Sequence, residues 1–280
     1  MGLTTSSIVF IILSLTAVVR CDLPHYAKAK SFITALYECG EYLETDNVTL
    51  DQYIYYGYPS VPEMKRLVHC AMVNVGAWND NIGVRQNVIS YYFKPNAMDS
   101  EYVERTQCCL DKICVAESCD QNNRAFETFS CYYRQYGRLI KDEVFVPLES
   151  LEFIQLFSFI KLALDICPEK LAQFARGDFL DDPLFKPVLF IVSLRFGGFS
   201  WENGLLLDVF YQQFGVSKLI SPCTKKCVAD VSARYCTVDK QELVYQVYKQ
   251  CLHTLLDSSL QTAFQAMLSD SPCVQVGFTL

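Results

Sequence analysis

Cysteine is the residue type that offers the most chemistry here, because the 280-residue chain contains 14 cysteines. Thiols form disulfides, bind zinc or act as nucleophiles. The spacing in Cys223-Thr-Lys-Lys-Cys227 matches half of a zinc site. A chain this rich in cysteine is typical of secreted, disulfide-bonded proteins, so the composition favours disulfides over a metal. No metal or cofactor is predicted.

Histidine is scarce, which limits acid–base catalysis. The doublet Cys108-Cys109 is similar to one in secreted phospholipase A2, but such an enzyme needs a histidine base on the same helix, and the next residues are Leu-Asp-Lys. The three histidines are His25, His69 and His253. Cys70, beside His69, is better used in a disulfide than as a nucleophile. Since the sequence also lacks a glycine-rich phosphate loop and a Gly-x-Ser-x-Gly elbow, we predict that the protein is not an enzyme.

The N-terminal segment has the features of a secretory signal peptide. Residues 8–19 form an apolar run that is shorter than the roughly 20 residues of a membrane span, and Val19-Arg20-Cys21 resembles a cleavage site. We expect cleavage after Cys21 and a secreted, extracellular protein without an anchor. Loss of Arg20 would change the formal charge from −7 to −8. An acidic surface is a poor match for nucleic acid or anionic membranes.

Three other local features of the sequence are consistent with an extracellular protein. Two later apolar stretches, residues 148–166 and 184–199, contain charged residues and are interpreted as core helices. Loss of Cys21 would leave an odd number of cysteines, so at least one would be free or intermolecular. Asn47-Val48-Thr49 is a glycosylation sequon.

The sequence contains an internal repeat. Residues 74–93 align with residues 195–214 at a constant offset, and Cys131 aligns with Cys251 at nearly the same offset. The repeat is as long as a typical small domain. We therefore predict two tandem domains, residues 22–145 and 146–280, after a signal peptide at residues 1–21. The aligned pairs include Gly76 with Gly197, Trp78 with Phe199, Gly83 with Gly204, and Phe93 with Phe214.

The apolar periodicity is helical. In residues 64–78 the apolar side chains recur every three and four positions, and Ser60-Val-Pro-Glu63 supplies a capping serine followed by a first-turn proline. The same spacing recurs in residues 32–40, 102–113 and 125–136. Further helices are predicted over residues 148–166, 184–196, 205–214, 228–235 and 240–257. No strand pair is evident, so the predicted fold class is all-α, with two tandem helical domains stapled by disulfides.

The cysteines of the first domain resemble those of the insect odorant-binding proteins, of the pheromone-binding and general odorant-binding type. Cys39, Cys70 and Cys131 match the first, third and sixth cysteines of that family, and either Cys108 or Cys109 matches the fourth. The segment at residues 122–133 is similar to the last core helix of the family. The resemblance covers nearly all of the first domain and implies its fold.

Two family positions depart from the pattern together. The second cysteine would fall at Arg66 and the fifth at Asn122. These two cysteines are bonded to each other in the family, so a whole disulfide is missing and no orphan thiol is left. The doubled arrangement resembles the atypical, two-domain members of mosquitoes, with the long salivary relatives of blood-feeding flies as close relatives.

The resemblance is weaker in the second domain. Cys227 and Cys251 fit the fourth and sixth positions, and Cys167 could be the first, but the third falls at Ile191. The sequence leaves the pairing of seven cysteines open. They are Cys108, Cys114, Cys119, Cys167, Cys223, Cys236 and Cys273.

The resemblance implies a non-catalytic carrier, because family proteins enclose a mostly apolar cavity between helices. The expected ligand is small and apolar, such as an odorant or pheromone, and a chemosensory receptor or another odorant-binding protein is a further expected partner. Candidate ligand-binding residues in the first domain are Phe32, Leu36, Val68, Met72, Val75, Trp78, Ile89, Tyr92, Phe126 and Phe129. Those in the second are Phe157, Ile160, Phe190, Leu194, Phe210, Phe214, Val244 and Tyr248.

Two alternatives stay open at this point. One is a secreted salivary scavenger of host lipid or amine mediators. The other is a protein–protein interaction scaffold without a ligand cavity, in which Phe196, Phe199 and Trp201 would fill the second domain.

Disulfide mapping tests the predicted pairs. Each bond between helices should stabilise the fold by about 3 to 4 kcal/mol, because it restricts the unfolded chain. Peptide mapping without reduction should link Cys39 to Cys70, and Cys131 to Cys108 or Cys109. A bond from Cys39 to the second domain would contradict both the boundary and the resemblance.

Overall fold

The computed structural model describes residues 27–113, 120–236 and 239–269. Most of these residues are helical, and disulfides connect the helices, so the predicted all-α, disulfide-bonded fold class is confirmed. None of the described helices combines the length and apolarity needed to cross a membrane. The predicted signal peptide and four cysteines lie outside the described residues. The four are Cys21, Cys114, Cys119 and Cys273.

The first half is a bundle around one central helix. Helix α3 (Pro62–Asn74) packs against both α1 (Phe32–Tyr42) and α6 (Gln121–Cys131), and its buried side chains recur at helical spacing along one face. A 3-10 turn (Ser90–Tyr92) follows α4 (Gln86–Ile89), and a π turn (Tyr132–Tyr136) extends α6. The helices are α1 (Phe32–Tyr42), α2 (Asn47–Tyr55), α3 (Pro62–Asn74), α4 (Gln86–Ile89), α5 (Tyr102–Leu110) and α6 (Gln121–Cys131).

The second half contains seven described helices. A 3-10 turn (Ser217–Ile220) precedes α11 (Pro222–Arg234), and a π turn (Tyr248–Leu252) joins α12 (Lys240–Val247) to α13 (His253–Ser269). The helices are α7 (Ser150–Ala163), α8 (Pro168–Ala175), α9 (Phe185–Arg195), α10 (Leu207–Phe214), α11 (Pro222–Arg234), α12 (Lys240–Val247) and α13 (His253–Ser269).

Several helix bounds differ from the sequence-based prediction. Helix α11 begins at Pro222 and not at residue 228, because the Ser221 hydroxyl accepts a hydrogen bond from the Thr224 amide and caps the helix there. The helix predicted over residues 240–257 continues through the π turn to Ser269. Helices α2, α4 and α8 were not predicted. Helix α2 buries only Leu50, so it shows little apolar periodicity.

The predicted cap of α3 is wrong. The helix begins at Pro62 with Val61 in the cap position, and no side chain caps it. Ser60 therefore lies one residue too early. Glu63 accepts hydrogen bonds from the Thr45 hydroxyl at 2.9 Å and the Tyr53 hydroxyl at 2.7 Å, so it holds neighbouring segments together.

Three disulfides connect helices among the described residues. Cys39–Cys70 joins α1 to α3, and Cys109–Cys131 joins α5 to α6. Cys227–Cys251 joins α11 to the second π turn. The structure thus pairs Cys131 with Cys109 and not with Cys108. Four exposed cysteines are unpaired in the described part of the chain, namely Cys108, Cys167, Cys223 and Cys236.

Hydrogen bonds link α3 to α6 where the family's other disulfide is missing. His69 Nδ1 lies 2.9 Å from the Asn122 side-chain oxygen, and Lys65 Nζ donates to the Asn123 side-chain oxygen at 2.6 Å. His69 Nε2 also lies 2.8 Å from a carboxylate oxygen of Asp80. Polar side chains therefore hold together two helices that a covalent bond holds in the family pattern.

The expectation of no strand pairs is wrong, because four short antiparallel ladders are present. Strands of two or three residues are too short to show the alternation by which strands are recognised. The ladders are β1 (Lys28–Lys30) with β6 (Val144–Val146), β2 (Trp78–Asn79) with β3 (Gly83–Val84), β4 (Phe93–Lys94) with β5 (Arg138–Leu139), and β7 (Phe199–Ser200) with β8 (Gly204–Leu205).

Two of these ladders are hairpins at aligned positions of the internal repeat. Hairpins β2–β3 and β7–β8 have the same register and the same loop length. Gly83 (φ +84°) and Gly204 (φ +71°) adopt the left-handed conformation, which explains why glycine occurs at both positions.

Buried apolar side chains form two separate cores. One extends from Phe32 to Val144 and the other from Leu148 to Met267. The boundary between the two cores lies in the segment from Val144 to Leu148. The two-domain division stays a prediction.

The two halves touch through both aromatic and polar contacts, and the Tyr91 and Tyr211 rings lie 6.2 Å apart. The Asn87 side chain donates to the backbone oxygens of Tyr211 and Gln212, and the Tyr91 hydroxyl donates to Asp208. At the start of β1, the Ala27 amide donates to the Arg195 carbonyl at 3.0 Å.

We expect a fragment of residues 22–145 to fold alone, because it keeps the first core and its two disulfides. After oxidative refolding it should give a helical circular dichroism spectrum and unfold cooperatively. A fragment ending at Pro147 should be more stable, since it completes the β1–β6 ladder. Random-coil spectra from both fragments would contradict the proposed boundary.

Candidate functional site

The predicted ligand-binding residues of the first half are packed in its core. All ten are at most 5% exposed. Phe32 stacks on Phe129 with ring centroids 5.0 Å apart, and Tyr92 meets Phe32 edge-on at 6.0 Å. The structure brings these residues together, but none of them lines the cleft described below. Whether a ligand reaches them stays a prediction.

The predicted ligand-binding residues of the second half differ in how deeply they are buried. Five are buried in the second core, namely Phe157, Ile160, Phe210, Val244 and Tyr248. Phe190 and Phe214 are partly buried against it. Leu194 is 39% exposed and does not join the group. Phe196 and Phe199 are buried, but Trp201 is 68% exposed, so the expectation that Trp201 fills this half is wrong.

A cleft of about 890 Å³ lies beside the first core. Its floor comes from α1, α2 and the residues after α2, one wall is the first π turn, and the rim consists of the loop at residues 94–99 and the segment at residues 138–141. We call it the π-turn cleft. The lining residues are Ile33, Ile54, Tyr58, Lys94, Pro95, Asn96, Asp99, Arg105 and every residue from Tyr133 to Lys141.

The floor of the π-turn cleft is tied to the core by Tyr58. Gly57 and Tyr58 both have positive φ, which ends α2 and turns the Tyr58 ring inward. That ring meets Phe129 and Tyr133 edge-on, each at 5.0 Å. Burial raises the pKa of Tyr58 well above its usual value, so the phenol stays neutral at physiological pH. The cleft thus has an uncharged aromatic floor.

The wall depends on a close approach of two backbone segments. A side chain at Gly137 would place its Cβ 2.3 Å from the Lys94 carbonyl oxygen and 2.7 Å from Pro95 Cα. Only glycine fits there, and the contact lets β4 pair with β5. Ile140 extends the pairing by donating its amide hydrogen to the Tyr92 carbonyl at 2.9 Å.

Electrostatically, the π-turn cleft is cationic. Arg105 forms two hydrogen bonds with the Asp99 carboxylate, which lower the pKa of Asp99. The other four cations that line the cleft have no ion pair within the described part of the chain. They are Lys94, Arg134, Arg138 and Lys141. Burial together with the nearby Tyr102 raises the pKa of Tyr136 to about 12, so the tyrosine contributes no negative charge.

A second groove, of about 600 Å³, lies beside the Cys39–Cys70 disulfide. It is lined by polar side chains such as Arg66, His69 and Asn122 together with apolar ones such as Leu43 and Val73. Among the described residues, no group of three or more histidine, cysteine or acidic side chains is arranged to hold a metal ion.

Comparison with known proteins finds a family that part of this chain matches. The model of the PBP/GOBP family matches residues 25–135, a range that includes the floor of the π-turn cleft. Residues 25–135 therefore match an odorant-binding domain of this family. The family consists of small-ligand-binding proteins and is not known for enzymes.

A curated mosquito protein is similar to this odorant-binding domain. It is General odorant-binding protein 69 of Anopheles gambiae, which is 25% identical over 126 residues. The match covers 41% of this chain and 54% of the relative, so the chain spans about half the length of the protein it matches. The comparison with solved structures gives no significant match.

Sequence reasoning selected the core of the odorant-binding domain and missed the π-turn cleft. Tyr58, Tyr133 and the cationic rim were not among the predicted residues. One signal was available in Arg138-Leu-Ile-Lys141, where two cations flank two apolar residues directly after the last helix of this half. Its position opposite Lys94 requires a backbone contact that periodicity does not reveal.

Replacement of Gly137 by alanine tests the close contact. Backbone atoms on the opposite segment cannot move aside easily, so Gly137→Ala should destabilise the protein by about 1 to 3 kcal/mol. The matched control is Gly40→Ala. Gly40 lies within α1, and the nearest atom to its Cβ is Leu50 Cδ2 of α2 at 3.4 Å, so this change should be neutral or stabilising. Thermal unfolding should separate the two variants, and equal melting temperatures would contradict this account of Gly137.

Proposed function

We propose that the protein is a secreted, non-catalytic carrier of small apolar ligands such as odorants or pheromones, and that the ligand binds in the π-turn cleft. The observation that carries the proposal is the cleft itself, which lies on an odorant-binding domain and has a floor of aliphatic and aromatic side chains. Its volume of about 890 Å³ falls in the range of about 300 to 1,000 Å³ typical of ligand sites.

Secretion and the absence of catalysis belong to the same proposal. The apolar N-terminal run and the disulfides between helices support an oxidising, extracellular compartment. Scarce histidine and a binding-protein family support a carrier over an enzyme. A chemosensory receptor or another odorant-binding protein is a further proposed partner.

The expected affinity is moderate. A ligand of about 15 heavy atoms that gains roughly 0.3 to 0.5 kcal/mol per atom binds with about 5 to 8 kcal/mol. Such a free energy corresponds to dissociation constants from roughly micromolar to sub-millimolar. This range is suited to a carrier that must also release its ligand.

Filling the cleft with a larger side chain should block it. Ile54 is a partly buried floor residue, so Ile54→Trp should weaken binding of the fluorescent apolar probe N-phenyl-1-naphthylamine about tenfold by removing space that the probe needs. The probe is titrated with excitation outside the absorption of tryptophan.

The matched control is Ile82→Trp, which introduces the same side chain at a 74% exposed position of the β2–β3 hairpin, outside the cleft. It should bind the probe like the unmodified protein. Circular dichroism confirms that both variants are folded. Equal affinities of the two variants would place the ligand elsewhere, and no binding by the unmodified protein would favour an interaction scaffold.

A further inference from the structure

Two cations face each other across the β4–β5 ladder at the rim of the π-turn cleft. Lys94 is paired with Arg138 in the register, and both side chains are exposed. Residues paired in this way have Cβ atoms about 4.5 to 5.5 Å apart, and like charges in such positions destabilise the ladder. Neither cation has an ion-pair partner within the described ranges. The fold therefore keeps a repulsive pair where an anion would be stabilising.

The rest of the rim increases this positive charge. The cleft is lined by five cations and one acid, although the whole chain has a formal charge of −7. The one acid, Asp99, is already engaged by Arg105. Arg134 on the wall and Lys141 on the rim line the same cleft as the Lys94–Arg138 pair. A cleft lined by one sign of charge focuses the electric field and attracts ligands of the opposite sign.

The apolar floor adjoins this charge. Ile33, Ile54 and Tyr58 line the same cleft as the Lys94–Arg138 pair. A ligand that fits both surfaces has an apolar body and an anionic end. Building on the function proposed above, we infer that the π-turn cleft selects single-chain amphiphiles with a carboxylate head, which lies between Lys94 and Arg138 while the hydrocarbon chain covers the floor.

The chemistry of the head group explains the selection. A carboxylate oxygen accepts charge-assisted hydrogen bonds from an ammonium and a guanidinium group, and these are stronger than bonds between neutral groups. The bound carboxylate also removes the repulsion between the two cations. An ammonium head would instead add a third positive charge, so the cleft discriminates against amines.

Three ligands with the same hydrocarbon chain test this inference. Decanoate, 1-decanol and decylammonium are each used to displace N-phenyl-1-naphthylamine from the full chain near neutral pH. Decanoate should bind about tenfold more tightly than decanol, and decylammonium more weakly than decanol. The advantage of decanoate should shrink as salt is added, because the rim is exposed to solvent.

A double variant separates the head-group contact from the floor. Lys94→Gln/Arg138→Gln should lose most of the preference for decanoate and still bind decanol. The matched control is Lys225→Gln/Lys226→Gln, which changes the net charge equally at two exposed positions of α11. The control should keep the full preference. Without ligand, the first variant should be at least as thermally stable as the unmodified protein, since a repulsive pair has been removed.

The possible outcomes test the head-group inference and the proposed carrier function separately. Equal affinities for decanoate and decanol, or an unchanged preference in Lys94→Gln/Arg138→Gln, would overturn the head-group inference and leave the proposed carrier function standing. Failure of all three ligands to displace the probe, or of the probe to bind, would overturn the proposed function itself.

Discussion

The close contact between Gly137 and the backbone of Lys94 is the constraint on which the π-turn cleft depends. It holds the segment after α6 against the loop after α4, and so allows β4 and β5 to pair. The pairing in turn places one cation opposite another and directs residues 138–141 along the rim. Just before the π turn, the Cys109–Cys131 disulfide fixes the end of α6 to α5. A covalent bond and a steric requirement therefore secure the two ends of one wall.

At Tyr58, in the floor of the π-turn cleft, aromatic packing offsets backbone strain. A non-glycine residue with positive φ costs about 1 to 2 kcal/mol, and Tyr58 has a φ of +61°. Each aromatic contact of its ring contributes about 0.5 to 1.5 kcal/mol beyond simple burial, and Tyr58 makes two. The packing is thus large enough to hold the backbone in this conformation. The result is a floor residue whose position is set by the core behind it.

The sequence predicts the helical class well, because long amphipathic helices such as α3 carry their period in every turn. It also predicts that Cys39, Cys70 and Cys131 lie on different helices. The sequence predicts an element less well when its pattern spans only a few residues or when the element depends on contacts between distant segments. The strands are two or three residues long, α2 buries a single leucine, and Ser60 has the right residue type one position too early. The cleft belongs to this second group, because its residues come from segments far apart in sequence and meet through tertiary contacts.

The β1–β6 ladder has a consequence for synthesis on the ribosome. Strand β1 leaves the exit tunnel before any helix of the bundle, yet its partner β6 emerges only after the whole first half has been made. The hydrogen bond of the Ala27 amide forms later still, because its acceptor is the carbonyl of Arg195 at the end of α9. During translation the first helices can assemble while the strand that precedes them has an unpaired edge. The ladder therefore closes late in the vectorial folding of the chain, and its closure joins the beginning of the described chain to the segment between the two cores.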